Sequence, residues 1–162
     1  MKKATGGWRI VHAFNKLNDA TIPVQTPIPR KDMVLDTMSG STKFSAIDLM
    51  DGFYQILMRE ADVPGLKNAP ATFNRMVSNL LRPYRDFAPS YFDDIFIHSR
   101  AAGGMTDVEM HLRQVFEVMR ENKLYTNLKT CIFYAPEIPV LGGYVSTEGV
   151  RADPEKIEAI CA

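Results

Sequence analysis

Two adjacent carboxylates, Asp93 and Asp94, lie within an apolar segment and constrain the fold more than any other feature of the chain. Aromatic residues precede them, and the run 95–97 that follows predicts a β-strand. Neighbouring negative charges repel, and burial increases the cost unless a proton or a cation offsets it. Carboxylate oxygens suit Mg²⁺. The pair therefore predicts a divalent metal site at the turn of a β-hairpin, and with it phosphoryl chemistry.

The composition is that of a globular domain with balanced overall charge. The chain has 162 residues, of which 46% are hydrophobic, with 19 basic against 19 acidic side chains. This fits about one domain with a buried core. The charge is uneven locally, because residues 1–31 carry six Lys or Arg side chains and a single Asp. That excess predicts either contact with phosphate or a solvated basic face.

Cysteine and histidine usage argues against disulfides and zinc. Cys131 and Cys161 are far apart in sequence, and we expect reduced thiols in an intracellular protein. His12, His98 and His111 are scattered without metal-like spacing, which favours surface or strand-end positions. No apolar run approaches the roughly 20 residues of a membrane span, and no signal peptide is visible. We therefore expect no membrane contact.

Hydrophobic periodicity predicts an α+β fold in which an antiparallel sheet carries helices on one face. Strands are predicted at 8–11, 43–49, 131–134 and 140–145, with a hairpin at 90–99. Helices are predicted at 33–38, 69–81, from a Thr106 cap to about 122, and onward from Asp153-Pro154. Residues 20–31 are predicted as an extended proline-spaced segment and 51–56 as a helical turn.

A third carboxylate, Asp48, completes the predicted site. It stands near the end of the strand predicted at 43–49, which brings it to a tip as the hairpin does for Asp93 and Asp94. Two Mg²⁺ ions roughly 3.5–4 Å apart need carboxylates from neighbouring strands. The three aspartates are the predicted metal ligands.

Five motifs in order resemble those of the reverse transcriptases of gypsy-type long-terminal-repeat retrotransposons. They are KFSAIDLMDGFYQI (43–56), GLKNAPATFNR (65–75), YFDD (91–94), LYTNLK (124–129) and VLGG (140–143). An Asp-Asp pair alone is weak evidence, whereas several motifs in the correct order are specific. The resemblance implies a right-hand polymerase domain, with partial fingers at 1–43, a palm at 44–146 and the start of a thumb at 147–162.

The resemblance implies an RNA-directed DNA polymerase that extends a primer 3′-hydroxyl by two-metal catalysis. Asp48, Asp93 and Asp94 match the residues that hold two Mg²⁺ ions, which Mn²⁺ can replace, and the carbonyl of Leu49 matches a further oxygen ligand beside the nucleotide. Lys129 matches the candidate general acid for pyrophosphate. Without the resemblance, Lys129 would be read as an ordinary loop lysine.

Further positions match the nucleotide pocket. Lys2 and Arg9 match the fingers cations that touch phosphates. The backbone at Asp51 and Gly52 matches the segment that lies under the triphosphate in the family. The ring of Phe53 matches the group that excludes a ribose 2′-hydroxyl. From the residues alone, Asp51 also reads as a helix cap, Phe53 as a core aromatic and Lys2 as part of a disordered terminus.

Leu141, Gly142 and Gly143 match the primer grip, where glycine lets a nucleic-acid backbone come close. The implied partners are an RNA or DNA template with its primer, deoxynucleoside triphosphates, and the protease, RNase H and integrase domains of a polyprotein. The implied location is intracellular, in a cytoplasmic particle or in the nucleus.

The chain departs from the family between Asp62 and Leu66. The family has a strand hairpin there that ends in a Pro-Gln-Gly-like sequence, whereas here Pro64 precedes Gly65 and the glutamine has no counterpart. Compared with the family, something like two strands and a turn, roughly two dozen residues, is absent, as after an internal deletion or a mis-joined exon. Their loss uncovers apolar surface and a sheet edge, so we expect poor polymerisation from the isolated chain.

Two other functions are compatible with parts of the sequence. One is a catalytically inactive retroelement remnant that binds RNA or a protein through its fingers surface. The other is a two-metal nuclease that uses the same three aspartates. The match at Phe53 and the lack of a His or Lys base near the aspartates argue against the nuclease.

Overall fold

The computed structural model describes residues 15–20, 22, 30–50, 69–100 and 105–161. Its helices are α1 (Asn15–Ala20), α2 (Lys31–Met38), α3 (Ala69–Leu80), α4 (Met105–Glu121) and α5 (Pro154–Cys161), with a 3₁₀ turn at Arg82–Tyr84. Its strands are β1 (Lys43–Asp48), β2 (Ser90–Tyr91), β3 (Asp94–Ser99), β4 (Ile132–Ala135), β5 (Glu137–Val140), β6 (Gly143–Ser146) and β7 (Gly149–Ala152). No helix in these ranges is long and apolar enough to cross a membrane. The predictions for 8–11 and 51–56, and most of that for 20–31, lie outside the described residues.

A four-stranded antiparallel sheet, in the order β2-β3-β1-β4, lies at the centre of the described fold. β1 and β3 pair along their whole lengths, and Asp48 lies opposite Asp94 at the end of the pairing. Successive side chains of a strand point to opposite faces. Ile95 and Ile97 therefore enter one hydrophobic core, while Phe96 enters another. The sheet is buried on both faces along this stretch.

Helices α3 and α4 cover the first face. Phe73 and Val77 of α3 and Val115 of α4 are fully buried there, and each such burial stabilises the fold by about 1.5–3 kcal/mol. The predicted helix at 69–81 is confirmed within one residue. Helix α4 begins at Met105, so Thr106 lies inside the first turn, and the prediction of Thr106 as the cap was wrong.

The opposite face is covered by α2 and by a second antiparallel sheet in the order β5-β6-β7. Val34 and Met38 of α2 meet Phe44 and Phe96 of the central sheet and Ile138 of β5. The α+β prediction is confirmed, but the helices cover both faces of the sheet and not one, because α2 packs on the side opposite α3 and α4. The structure adds this second sheet as a layer that the hydrophobic pattern did not predict.

The segment predicted as one strand at 140–145 is a hairpin. β5 ends at Val140 and β6 begins at Gly143, and these two residues pair with each other. Between them Leu141 has φ 50° and Gly142 has φ 91°. Two central residues with positive φ are typical of a type I′ turn, whose twist suits a two-residue hairpin. The two glycines therefore mark a turn and not the interior of a strand.

Candidate active site

A two-residue turn presents the aspartate pair at the tip of the β2–β3 hairpin. Tyr91 pairs with Asp94, so Phe92 and Asp93 occupy the turn. Phe92 has φ 52°, and Asp93 is outside the positive-φ region, a combination typical of a type II′ turn. Glycine is usual at the first position, so Phe92 holds a strained backbone at a cost of about 1–3 kcal/mol. Its ring packs edge-on to Tyr91, with 5.0 Å between the centroids.

Asp48 reaches this turn through the pairing of β1 with β3. Asp48 and Asp94 are direct antiparallel partners, and side chains at such positions leave the same face of the sheet. The Leu49 N–H donates to the carbonyl oxygen of Asp93 at 2.8 Å, which extends the contact by one residue. The structure thus brings the first predicted motif to the aspartate turn.

Burial and like charge perturb this cluster. The pKa of Asp94 is raised to about 6, first by burial and then by the negative charges of Asp48 and Asp93. Carboxylates that disfavour one another's charge are relieved by a hard divalent cation, which oxygen ligands suit. The chemistry of the donor set therefore fits Mg²⁺.

The aspartates do not by themselves form a complete coordination shell. Among the described residues, no three His, Cys, Asp or Glu side chains are grouped closely enough to hold a metal ion. Asp48 and Asp94 occupy paired strand positions, whereas Asp93 belongs to the turn. The fit to a metal thus lies in the donor chemistry and in the Asp48–Asp94 pairing.

The loop between α4 and β4 is held to Asp48 by hydrogen bonds. Thr126 Oγ1 donates to the Asp48 carbonyl oxygen at 2.6 Å, and the Asn127 N–H donates to the same oxygen at 3.1 Å. Thr130 Oγ1 donates to Asp48 Oδ2 at 2.6 Å. Sequence reasoning missed all three contacts. The available signal was that Thr126 and Asn127 lie within the motif at 124–129 and that Thr130 directly follows it.

Lys129 lies in this loop, and Leu49 pairs with it. Lys129 is exposed, and its backbone N–H donates to Asn127 Oδ1 at 3.3 Å. Leu49 is buried and forms an isolated bridge with Thr126. The structure therefore carries both residues on segments attached to Asp48. The role of Lys129 in proton transfer and that of the Leu49 carbonyl as a ligand stay predictions.

The predicted primer grip lies at the β5–β6 turn. A Cβ on Gly143 would lie 2.8 Å from the backbone oxygen of Arg151, and one on Gly142 would lie 2.5 Å from Lys156 Nζ. Leu141 packs against the second core. The fold itself thus explains both glycines, and contact with a primer stays a prediction.

The remaining predicted site residues lie outside the described part of the chain. They are Lys2, Arg9, Asp51, Gly52 and Phe53. The departure from the family between Asp62 and Leu66 lies there too. The predicted roles at these positions therefore stay predictions.

A family model described as reverse transcriptase (RNA-dependent DNA polymerase) matches residues 63–145. This segment is slightly more than half of the chain and contains Asp93 and Asp94, whereas Asp48 precedes it.

Curated relatives align with almost the whole chain. The Retrovirus-related Pol polyprotein from transposon opus of Drosophila melanogaster is 34% identical, over 94% of this chain and 17% of its own length. The corresponding polyprotein from transposon gypsy is 29% identical, over 94% and 16%. Polyprotein P3 of Commelina yellow mottle virus is 29% identical, over 99% and 9%. The chain thus spans less than a fifth of each of these relatives.

Solved structures share the fold. A foamy viral protease-reverse transcriptase in complex with double-stranded DNA has a TM-score of 0.85 at 21% identity, over 99% of this chain and 31% of that one. A foamy viral protease-reverse transcriptase in complex with an RNA/DNA hybrid has a TM-score of 0.78 at 21% identity, over 95% and 23%. These likenesses show the fold, and the family match across the aspartate turn establishes that the chain belongs to the reverse transcriptase (RNA-dependent DNA polymerase) family.

Proposed function

We propose that this chain is the catalytic part of an RNA-directed DNA polymerase that extends a primer 3′-hydroxyl by two-metal catalysis. The observation that carries the proposal is the direct pairing of Asp48 with Asp94 at the aspartate turn. Two carboxylates from neighbouring strands, with a third in the turn, are what a two-metal site requires. The pKa of Asp94 is raised first by burial and then by the negative charges of Asp48 and Asp93, and perturbed carboxyl groups of this kind are common at functional sites.

The ligands in this proposal are Asp48, Asp93 and Asp94, with Mg²⁺ or Mn²⁺ as the metal. The described carboxylates do not complete a coordination shell, so oxygen atoms of the nucleotide and the Leu49 carbonyl supply further ligands. When bound, the metal ions favour ionisation of the primer hydroxyl and neutralise charge on the triphosphate.

The other residues act on the substrates. Lys129 donates a proton to the leaving pyrophosphate, and the exposed position of its loop supports this role. Lys2 and Arg9 bind phosphate oxygens, and the backbone at Asp51 and Gly52 lies beneath the triphosphate. Phe53 excludes ribonucleotides by a clash with the 2′-hydroxyl. Leu141, Gly142 and Gly143 hold the primer end.

The partners in this proposal are a template–primer duplex, deoxynucleoside triphosphates and neighbouring polyprotein domains. The structural neighbours are bound to double-stranded DNA and to an RNA/DNA hybrid, which supports a duplex substrate here. The most similar relatives reported above are polyproteins several times longer than the match. This supports further domains as partners.

We also propose that the isolated chain polymerises poorly, because a hairpin is missing near residues 62–66. The match with the opus polyprotein runs over 175 residues, although only 94% of the 162 residues here take part. That relative therefore has about two dozen residues without a counterpart. The family match also begins at residue 63. Loss of this segment would misplace the nucleotide, and positioning is most of phosphoryl-transfer catalysis.

Primer extension on an RNA template tests both proposals. The purified chain receives a DNA primer, the four deoxynucleotides and Mg²⁺ or Mn²⁺. We expect slow extension that stops in Asp48→Asn and Asp94→Asn. Glu117→Gln is the matched control, since Glu117 is an exposed carboxylate that pairs with Arg120. A chimera that carries the opus residues between 62 and 66 should extend faster.

Two results would contradict these proposals. Extension that persists in Asp48→Asn would show that Asp48 does not take part in the proposed two-metal catalysis. Fast extension by the unmodified chain, with no gain in the chimera, would show that the missing hairpin does not impair it.

The missing segment also favours a second function, that of a remnant which binds RNA without catalysis. This function predicts RNA binding that needs no divalent metal and that survives Asp93→Asn. Metal-dependent extension by the chain would exclude it as the sole function.

A further inference from the structure

We infer that Thr130 is a positioning residue for Asp48, an inference that rests on the proposed function. Thr130 Oγ1 donates to Asp48 Oδ2 across 2.6 Å, although 82 positions separate the two residues. A hydroxyl bond of this length to an ionised carboxylate is among the strong ones. It holds one carboxylate oxygen in place and so restricts the rotamers open to the Asp48 side chain.

The hydroxyl of Thr130 has one proton and two acceptors within reach. The carbonyl oxygen of Asn127 lies 3.0 Å from Oγ1, and Asp48 Oδ2 lies closer, at 2.6 Å. Both the negative charge and the shorter distance favour the carboxylate. The Thr130 N–H donates to the same Asn127 oxygen at 3.0 Å, so that carbonyl keeps a partner when the hydroxyl points to Asp48.

The loop that carries Thr130 is itself held against Asp48. Thr126 Oγ1 and the Asn127 N–H both donate to the Asp48 carbonyl oxygen. Thr130 is exposed, so core packing does not set its position, and the bonds of the loop to the end of β1 do. The hydroxyl therefore approaches the carboxylate from a backbone that is already in place, which is how an outer-shell partner orients a metal ligand.

A neutral donor suits this position. A hydroxyl fixes the carboxylate without adding positive charge, so Asp48 keeps its charge and its other lone pairs for a divalent cation. A lysine or arginine there would compete with the cation. Within the described ranges, no Lys or Arg side chain forms an ion pair with Asp48.

The test compares Thr130→Val with Thr130→Ser. Valine keeps the shape of threonine and removes the hydroxyl, whereas serine restores the hydroxyl. Thr147→Val is the matched control, because Thr147 is an exposed threonine in the β6–β7 turn. Circular dichroism and thermal unfolding confirm that each variant is folded.

Two readouts are independent of polymerase activity. The first is the Kd for Mn²⁺, from electron paramagnetic resonance titration of the purified chain, with Asp48→Asn marking the binding that depends on Asp48. We expect Thr130→Val to weaken Mn²⁺ binding by about tenfold or more, since outer-shell partners have effects of that size. The second is the set of three-bond NMR couplings about χ1 of Asp48, measured without metal. In the unmodified chain these couplings should have the values of a single rotamer, and in Thr130→Val they should have values averaged over several rotamers. Thr130→Ser should restore both.

The outcomes separate this inference from the proposed function. If Thr130→Val leaves the Asp48 couplings unchanged, Thr130 does not position Asp48, whatever the activity. If the couplings and Mn²⁺ binding change while the chain extends no primer under any condition, the positioning role stands and the polymerase proposal fails. If Mn²⁺ binding does not depend on Asp48, the metal role fails, and the couplings alone decide the positioning role.

Discussion

Asp48 and Asp94 lie directly opposite each other at the ends of β1 and β3, with their side chains on one face of the sheet. Like charges in opposed strand positions destabilise a sheet. The pKa of Asp94 is raised first by burial and then by this repulsion. The hairpin that bears Asp94 also contains the positive-φ residue Phe92. Charge repulsion and backbone strain are thus concentrated at one turn, as is common where function and stability compete.

Asp94→Asn should stabilise the metal-free protein while it removes activity. The folded-state pKa of about 6 lies above the ordinary value of 3.8. Stability is therefore lost as pH rises through about 6. We expect a gain of about 1–2 kcal/mol in the free energy of unfolding at about pH 7.5, discounted for partial exposure, and almost none near pH 4. Urea unfolding in the presence of a chelator measures it.

Glu117→Gln is the control for Asp94→Asn, because the exposed Glu117–Arg120 pair contributes little. We expect its unfolding free energy to match that of the unmodified chain at both pH values. A loss of stability in Asp94→Asn near neutral pH would contradict the raised pKa of Asp94 and the cost of its burial beside Asp48.

His98 should make the fold sensitive to acid. It is 2% exposed, its Nδ1 lies 2.8 Å from Ser41 Oγ, and its pKa is lowered to about 4 by burial, then by Arg100 and His111. The folded state thus binds the proton less tightly than the unfolded state. Stability should fall by up to about 3 kcal/mol as pH drops from about 6.5 to 4.

His98→Gln isolates this effect. The substitution should lower stability near neutral pH and flatten the dependence of stability on pH between about 6.5 and 4. The chains with and without His98→Gln are both measured by urea unfolding in an Asp94→Asn background. This is because Asp94 changes the free energy of unfolding with pH in the opposite direction. Equal slopes with and without His98 would contradict the assignment of a buried neutral imidazole.

Alanine substitutions at three glycines of the second sheet should distinguish the cost of a positive φ from the cost of a steric clash. Gly149 has φ 119° with open space around its Cβ position, whereas at Gly143 a Cβ would meet the Arg151 backbone oxygen. We expect Gly149→Ala to cost about 1–2 kcal/mol through conformation alone, and Gly143→Ala about 1–3 kcal/mol through the clash.

Gly142→Ala combines a φ of 91° with a Cβ close to the end of the flexible Lys156 side chain. Because that side chain can move away, the cost should resemble that of Gly149→Ala, at about 1–2 kcal/mol. Thermal unfolding ranks the three variants. If Gly143→Ala unfolds like the unmodified chain while primer extension fails, contact with the primer explains that glycine better than the fold does.

Phe73 should be among the positions most sensitive to truncation. It is fully buried between α3 and the central sheet, so Phe73→Ala should cost about 3–5 kcal/mol. The control is Phe116→Ala, since Phe116 is 37% exposed and touches Phe133 at 6.0 Å between the ring centroids. Its cost should stay within about 1.5 kcal/mol. If urea unfolding gives similar losses of unfolding free energy for Phe73→Ala and Phe116→Ala, the placement of Phe73 in the core between α3 and the central sheet is wrong.

Local patterns predicted the helices and the hairpin well. Helix α3 follows from apolar residues at helical spacing after Pro70, and the cap of α5 follows from Asp153, whose Oδ1 accepts from the Glu155 N–H at 3.1 Å. The turn at Leu141 was not predicted, because a glycine pair fits both a strand and a tight turn. That choice depends on which residues pair across the hairpin.

The amino-acid sequence by itself determined the α+β character, the helical and extended segments and the presence of Asp93 and Asp94 at a turn, because propensity, periodicity and capping act over a few residues. The sequence also predicted that Asp48 joins this site, but tertiary structure decided the register that sets it opposite Asp94, the second sheet that covers the other face, and the contact of Thr130 with the Asp48 carboxylate. These contacts join positions tens of residues apart. They depend on strand register and on the packing of both cores together, and a shift of one residue would turn every side chain of β1 to the opposite face.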